Sequence, residues 1–115
     1  MSQALSGIRI IDMTHNQAGP ACAQILGFLG ADVIKLEEPK GGDIARRNMR
    51  DKDSDSLFFL LFNANKRSLT LNLKSGRGKE LFKEVIAKSD VLVENFSPGA
   101  LDRLGLGWEV LSKLL

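Results

Sequence analysis

Two short apolar runs, separated by a segment with helical periodicity, constrain the fold of this chain most strongly. Segments 7–13 (GIRIIDM) and 31–37 (ADVIKLE) are rich in β-branched residues and almost continuously apolar, which is typical of strands buried on both faces of a parallel sheet. Segment 19–30 between them has Pro20 at a predicted first helical position and ends at Gly30, as helices often do. Its apolar residues recur at helical spacing: Cys22, Ile25, Leu26 and Leu29. The pattern predicts a βαβ unit.

The rest of the chain repeats this alternation. Asp55 or Ser56 can cap a short helix through Phe62, and segment 67–73 has leucines at every second position, as a strand does. Further segments follow as an amphipathic helix (75–90, with Leu81, Val85 and Ile86 on one side), a strand (90–96), a short helix (98–104) and the start of another from Trp108. The polar stretch 38–54 is predicted as a long loop. The fold class is therefore α/β, a Rossmann-like parallel sheet with flanking helices.

Length and composition indicate one domain over residues 1–115. A chain with 43% hydrophobic residues and a net charge of +2 has the composition of an ordinary globular protein and does not indicate a nucleic-acid partner. Its single cysteine, with neither a signal peptide nor an apolar run long enough for a membrane span, favours a cytoplasmic location without a membrane. The last segment has no helix stop signal, so we expect a C-terminal truncation. A four-stranded sheet would then leave apolar surface for the missing sequence or a second subunit to cover.

Three loops lie where a ligand would bind, at the carboxyl ends of predicted strands. The first, 14–18, holds the only histidine, His15, and precedes a helix whose N-terminus attracts anions. His15 could carry a proton, contact a phosphate or be a plain hydrogen-bonding residue. Glu37 stands where dinucleotide-binding folds have a ribose-binding acid, but the G-x-G-x-x-G motif is absent, so NAD binding is not predicted.

The other two loops each allow two interpretations. In 94–103, Asn95 and Ser97 could bind a ligand with Arg103, or could simply cap the helix that follows. In 63–68, Lys66 and Arg67 could bind an anion or cover surface. Cys22 has no second cysteine and no metal-ligand pattern around it, so it is predicted to be a buried core thiol, and no metal site is predicted.

Four ordered motifs together identify a resemblance. They are LSGIRIIDMTHNQAGPACAQILGFLGADVIKLEEP (5–39), GGDIAR (41–46), FNANKRSLTLNLK (62–74) and VENFSPGALDRLGLGW (93–108). They closely resemble the N-terminal part of the family III CoA-transferases, also called the CaiB/BaiF family. Within it, segments 14–31 and 62–68 are most similar to the members that move CoA from formyl-CoA to oxalate.

The resemblance implies coenzyme A as substrate, with an acyl-CoA and a small carboxylate as reaction partners. It places CoA contacts at Gln17, Ala18, Leu71, Asn72, Leu73, Lys74, Asn95, Phe96, Ser97 and Arg103, and His15 lies in the same loop as Gln17. Lys74 and Arg103 would pair with the CoA phosphates, and Gln17 would reach towards the thioester. Glu38 departs from the family pattern, because relatives often have a basic residue there.

The resemblance also implies where catalysis takes place. The family uses an aspartate nucleophile that is expected beyond residue 115, so no catalytic residue is assigned here and this chain alone is expected to be inactive. Family members form interlocked dimers; a homodimer, or assembly with the missing remainder, is the corresponding expectation. Two alternatives stay open: a relative of the acyl-CoA racemases, and a non-catalytic CoA-binding fragment.

Overall fold

A computed structural model of the chain describes residues 2–115. Its strands are β1 (Arg9–Asp12), β2 (Asp32–Glu37), β3 (Arg67–Thr70) and β4 (Val91–Val93). Its helices are α1 (Ala18–Phe28), α2 (Leu57–Phe62), α3 (Gly76–Ile86), α4 (Ala100–Arg103) and α5 (Trp108–Leu111), and a 3₁₀ turn spans Ile44–Arg47. Each predicted helix and strand is present, although the strands are shorter than their apolar runs.

The four strands form one parallel sheet in the order β3-β2-β1-β4. Ile11 of β1 pairs with Ile34 of β2 on one side and with Leu92 of β4 on the other. The chain builds the sheet outwards from β1 through β2 and β3, and then returns to place β4 on the opposite side of β1. This topology confirms the predicted α/β class and puts the reversal of strand order, where ligands bind in such sheets, between β1 and β4.

Side chains of β1 enter a different core on each face of the sheet. Ile10 packs with Ala23 of α1 and with Val33, whereas Ile11 packs in a larger cluster with Phe82 of α3. All five of these side chains are at most 2% exposed. The continuous apolar run of β1 is therefore explained as predicted, by burial on both faces.

Helix α1 turns a different face to the sheet from the one predicted, and of the predicted apolar stripe only Leu26 packs against the core. Its buried residues are Pro20, Ala23 and Gly27, while Cys22 is exposed and Ile25 is 57% exposed. The physical reason is the closeness of the helix to the sheet: a Cβ at Gly27 would lie 3.3 Å from Val33 Cγ2. The prediction of a buried Cys22 thiol is wrong, because the helix packs on the sheet through Pro20, Ala23 and Gly27 and leaves Cys22 on its exposed side.

Other local predictions hold in detail. Ser56 caps α2, its hydroxyl accepting a hydrogen bond from the Phe59 N–H at 3.0 Å. In α3 Ile86 is buried, as predicted, and it is joined there by Phe82. Apolar side chains remain exposed on two helices: Ile25 and Phe28 on α1, with Leu29 just after it, and Leu57, Leu60 and Leu61 on α2. Within residues 2–115, none of the helices is long and apolar enough to cross a membrane.

Candidate functional site

A pocket of about 480 Å³ opens at the carboxyl edge of the sheet. All four strands contribute to it, because it is lined by the residues that follow each strand end. Its floor is apolar and belongs to the core on the α3 side of the sheet: Met13, Leu36, Leu71, Leu73, Phe96 and Leu104. Polar and charged residues complete the lining: His15, Glu38, Lys40, Asn72 and Lys74. The pocket can therefore hold an extended, largely apolar ligand with anionic groups near the two lysines.

The sequence-predicted site residues fall into two groups. Those that line the pocket are His15, Leu71, Asn72, Leu73, Lys74 and Phe96. Those that do not line it are Gln17, Ala18, Asn95, Ser97 and Arg103. Gln17 and Ala18 are exposed at the start of α1, and Arg103 lies on α4, where its guanidinium donates to the Pro98 carbonyl at 3.5 Å.

The alternative of helix capping by Asn95 and Ser97 is not what the structure shows. Helix α4 begins after Gly99, without a side-chain cap. Asn95 instead joins two loops: its Oδ1 accepts from the His15 N–H at 2.9 Å, and its Nδ2 donates to the His15 carbonyl at 2.9 Å. This pair of bonds fixes the first ligand loop to the loop after β4.

Sequence reasoning missed part of the lining. Met13, Leu36, Pro39, Lys40 and Leu104 were not singled out, and Glu38 was noted only as a departure from the family pattern. The available signal was positional, since Met13 follows β1 and Glu38 to Lys40 follow β2 directly. Leu104 had no comparable signal, because it follows α4 and not a strand, and only the tertiary structure brings it to the pocket.

Glu38 is held as an ionised carboxylate at the pocket. Its two oxygens accept the backbone N–H groups of Lys40 and Gly42, each at 3.1 Å. The hydrogen bond from the Lys40 N–H has the largest effect on the pKa of Glu38. Together with the bond from Gly42 and the nearby charge of Lys74, it holds that pKa below its ordinary value. The pocket therefore presents one fixed negative charge beside Lys40 and Lys74.

A buried ionic network lies under the first ligand loop. Lys35 Nζ is 2.7 Å from Asp43 Oδ2 and 2.5 Å from the Thr14 carbonyl, and its side chain is only 3% exposed. Asp43 Oδ1 accepts from the backbone N–H of Asn16 and of Ala45, both at 2.9 Å. Burial raises the pKa of Asp43, but the bonds from Asn16 and Lys35 outweigh burial and lower the pKa overall.

The second buried lysine, Lys66, completes this network. Its Nζ is 2.7 Å from Asp12 Oδ2, 2.9 Å from the Pro20 carbonyl and 2.9 Å from Asn63 Oδ1. Burial lowers the pKa of Lys66, and its contact with Asp12 opposes that effect. The Lys66 side chain is 2% exposed, so it anchors β1 to the start of β3 and does not face a ligand. Arg67 likewise pairs with Asp32, at 2.6 Å.

Glu37 occupies the position of a ribose-binding acid in dinucleotide-binding folds, but its carboxylate is hydrogen-bonded to other residues of the protein. Its oxygens accept two bonds from the Arg46 guanidinium, at 2.8 and 2.7 Å, and one from the Asp43 N–H at 2.7 Å. Burial raises the pKa of Glu37, but these hydrogen bonds lower it by more, so the pKa of Glu37 lies below its ordinary value. Across residues 2–115 no group of three His, Cys, Asp or Glu side chains is arranged to hold a metal ion.

Comparisons with known proteins agree with the resemblance read from the motifs. The profile of CoA-transferase family III matches residues 5–114. A formyl-CoA:oxalate CoA-transferase from Streptomyces avermitilis is 58% identical over 110 residues, which are 95% of this chain and 27% of that protein. The crystal structure of the hypothetical protein Rv3272 from Mycobacterium tuberculosis superposes with a TM-score of 0.87 at 38% identity, over 96% of this chain and 30% of that one.

A second solved structure, a CaiB/BaiF family protein from Brucella suis, superposes with a TM-score of 0.88 at 35% identity. The superposition includes 99% of this chain and 31% of that protein. The chain thus spans little more than a quarter of the length of the curated relatives it matches, and under a third of the solved structures. Because the family profile matches nearly every residue and the relatives are this similar, the chain belongs to CoA-transferase family III.

Proposed function

We propose that these 115 residues form the CoA-binding part of a transferase that moves CoA between formyl-CoA and oxalate. The observation that carries the proposal is the pocket at the carboxyl edge of the sheet, with its apolar floor and two lysines. Five of the ten residues to which the resemblance assigned CoA contacts line it, and so does His15. The name of the Streptomyces avermitilis relative supports formyl-CoA and oxalate as the substrates.

The chemistry of the lining fits coenzyme A. The pantetheine arm is flexible and amphipathic, so an apolar floor with Asn72 and His15 at hand would hold it and satisfy its amides. The CoA phosphates would lie near Lys74 and Lys40, whose ammonium groups are suited to phosphate. Gln17, at the exposed start of α1, remains our candidate for the thioester end, and Arg103 for a phosphate contact.

The covalent step needs an aspartate held against the thioester, and we propose that residues outside this chain supply it. Two observations on the described residues support this. Asp12 and Asp43 are fully buried and paired with Lys66 and Lys35. The acid that lines the pocket is Glu38, whose oxygens are already engaged by backbone N–H groups. The chain alone should therefore bind CoA without transferring it.

Calorimetric titration of CoA into the 115-residue chain tests the proposal. We expect binding that weakens several-fold in Lys74→Ala and only slightly as salt is raised, since exposed charges supply a smaller part of the attraction than the apolar floor does. Lys83→Ala is the matched control, because Lys83 is an exposed lysine of α3 outside the pocket. Absence of heat from a folded chain, or equal losses in both variants, would contradict a CoA site in this pocket.

A further inference from the structure

The side chain and backbone of His15 are held from three directions. The Asn95 amide bonds both its backbone N–H and its carbonyl. The Phe96 ring packs edge-on against the imidazole, with centroids 5.5 Å apart. The third contact is polar: the Ile44 backbone N–H donates to His15 Nδ1, with the two nitrogens 3.4 Å apart. The ring therefore has a defined orientation before any ligand arrives.

The donor of that third contact is itself fixed by the buried network. Ile44 opens the 3₁₀ turn, and Asp43 caps the turn by accepting the Ala45 N–H. The same Asp43 oxygen accepts the N–H of Asn16, the residue next to His15, which has a positive φ of 73°. Lys35 holds the other Asp43 oxygen from beneath. One buried carboxylate thus sets the turn and the ligand loop relative to each other.

A backbone N–H can only donate, so the nitrogen that receives it carries no proton. In a neutral imidazole the proton must then be on the other nitrogen, Nε2. We propose that the turn capped by Asp43 fixes His15 as the Nε2–H tautomer, which presents a neutral hydrogen-bond donor to the pocket that His15 lines. In this arrangement Asp43 is a positioning residue and His15 is the group that meets the ligand.

The chemistry of a neutral donor identifies its acceptor. The phosphates of a ligand are matched by the lysine charges at the pocket, whereas an uncharged N–H suits a carbonyl oxygen. The acceptor is therefore a carbonyl of the acyl-CoA, either the acyl oxygen of the thioester or a pantetheine amide. This assignment of the acceptor rests on the proposed function, but the tautomer does not.

Nitrogen NMR of the unmodified chain tests the tautomer without any ligand. His15 is the only histidine, so its ring signals need no assignment to a residue, and the couplings to the carbon-bound ring protons distinguish Nδ1 from Nε2. We expect Nδ1 in the unprotonated position of the spectrum and Nε2 in the protonated one, with a single tautomer populated. A ring protonated on Nδ1, or an even mixture of the two forms, overturns the proposal.

Two variants at residue 44 test the cause. Ile44→Pro removes the N–H, and the position accepts proline well: it is the first residue of the turn, and Asp43 before it has a ψ of 132°. Ile44→Ala is the matched control, since it keeps the N–H and trims a side chain that is half exposed. We expect the Nδ1–H form to rise several-fold in the proline variant only. An unchanged tautomer in a folded Ile44→Pro overturns the proposal; if that variant does not fold, the spectrum of the unmodified chain decides.

Titration with acetyl-CoA and with CoA tests the acceptor. If the acyl oxygen accepts the bond, acetyl-CoA shifts the Nε2–H resonance more than CoA does, whereas equal shifts assign it to a pantetheine amide. Binding of both probes without a shift overturns the contact. Failure of both to bind overturns the proposed function and the acceptor with it, while the ligand-free tautomer result still decides the role of the turn.

Discussion

The buried pair of Lys35 and Asp43 gives the most demanding test of the structure. Lys35→Met removes a cation that is 3% exposed and leaves a fully buried carboxylate without its charge partner. Breaking a buried pair in this way costs about 3–5 kcal/mol. At a urea dependence of roughly 2 kcal/mol per molar, the unfolding midpoint should fall by about 2 M. Urea titration followed by circular dichroism measures this shift.

Two further variants separate the lost pair from general damage. In Lys35→Met with Asp43→Asn, the amide oxygen can still accept from Asn16 and Ala45 while the unpaired charge is gone, so the double variant should be more stable than Lys35→Met. Arg77→Met breaks an exposed pair with Glu80 at 3.2 Å, both side chains being about two-thirds exposed or more. It should cost at most about 0.5 kcal/mol. Equal costs for Arg77→Met and Lys35→Met, or a double variant no better than the single, would refute the reasoning.

Glu38→Gln removes the fixed negative charge at the pocket and should tighten CoA binding by roughly two- to fivefold at low salt, as read by calorimetry; unchanged affinity in dilute buffer would show that Glu38 does not face the ligand. The lowered pKa values of Asp43 and Glu37 mean that their stabilisation is complete above their ordinary values of 3.8 and 4.5 and is lost as the pH falls below them. The urea midpoint should thus be flat from pH 7 to 5 and drop below about pH 4.5; a midpoint already falling near pH 6 would assign acid sensitivity to other groups. Cys22 should react with a thiol reagent in the folded chain as fast as in urea, because it is exposed; strong protection would restore the original prediction of a buried thiol.

The fold was largely predictable because its strands and helices differ in apolar period. The run 7–13 identified β1, and the segments after it gave the alternation that leads to a parallel sheet. The face of α1 was not predictable by the same rule. That rule turns bulky residues inwards, whereas α1 lies so close to β2 that a Cβ at Gly27 would be 3.3 Å from Val33 Cγ2, so small residues occupy the closest contact. Closeness of packing is a three-dimensional quantity that periodicity does not report.

The position of the pocket was predictable, but the contacts that support it were not. Loops at the carboxyl ends of strands were the expected place for a ligand, and His15 and segment 71–74 do line the pocket found there. Asp43 lies in the polar stretch predicted as a loop, and although it is part of the motif GGDIAR, no role was predicted for it. Its role arises because that stretch folds back beneath Asn16 and meets Lys35 of β2. These residues belong neither to one periodic pattern nor to one motif, so a single sequence does not predict that they are in contact.

The same network changes how the charge of the site should be counted. The sequence offers lysines and arginines near every ligand loop, yet Lys35 and Lys66 are neutralised inside the protein by Asp43 and Asp12. At the pocket itself Lys40 and Lys74 face the single carboxylate of Glu38, so the lining carries a net charge of about +1 rather than the sum of nearby basic residues. A polyanionic ligand would therefore gain little from long-range attraction. If CoA binds there as proposed, its affinity must come mainly from the apolar floor and from directed hydrogen bonds, and we expect the salt dependence of its binding to be shallow.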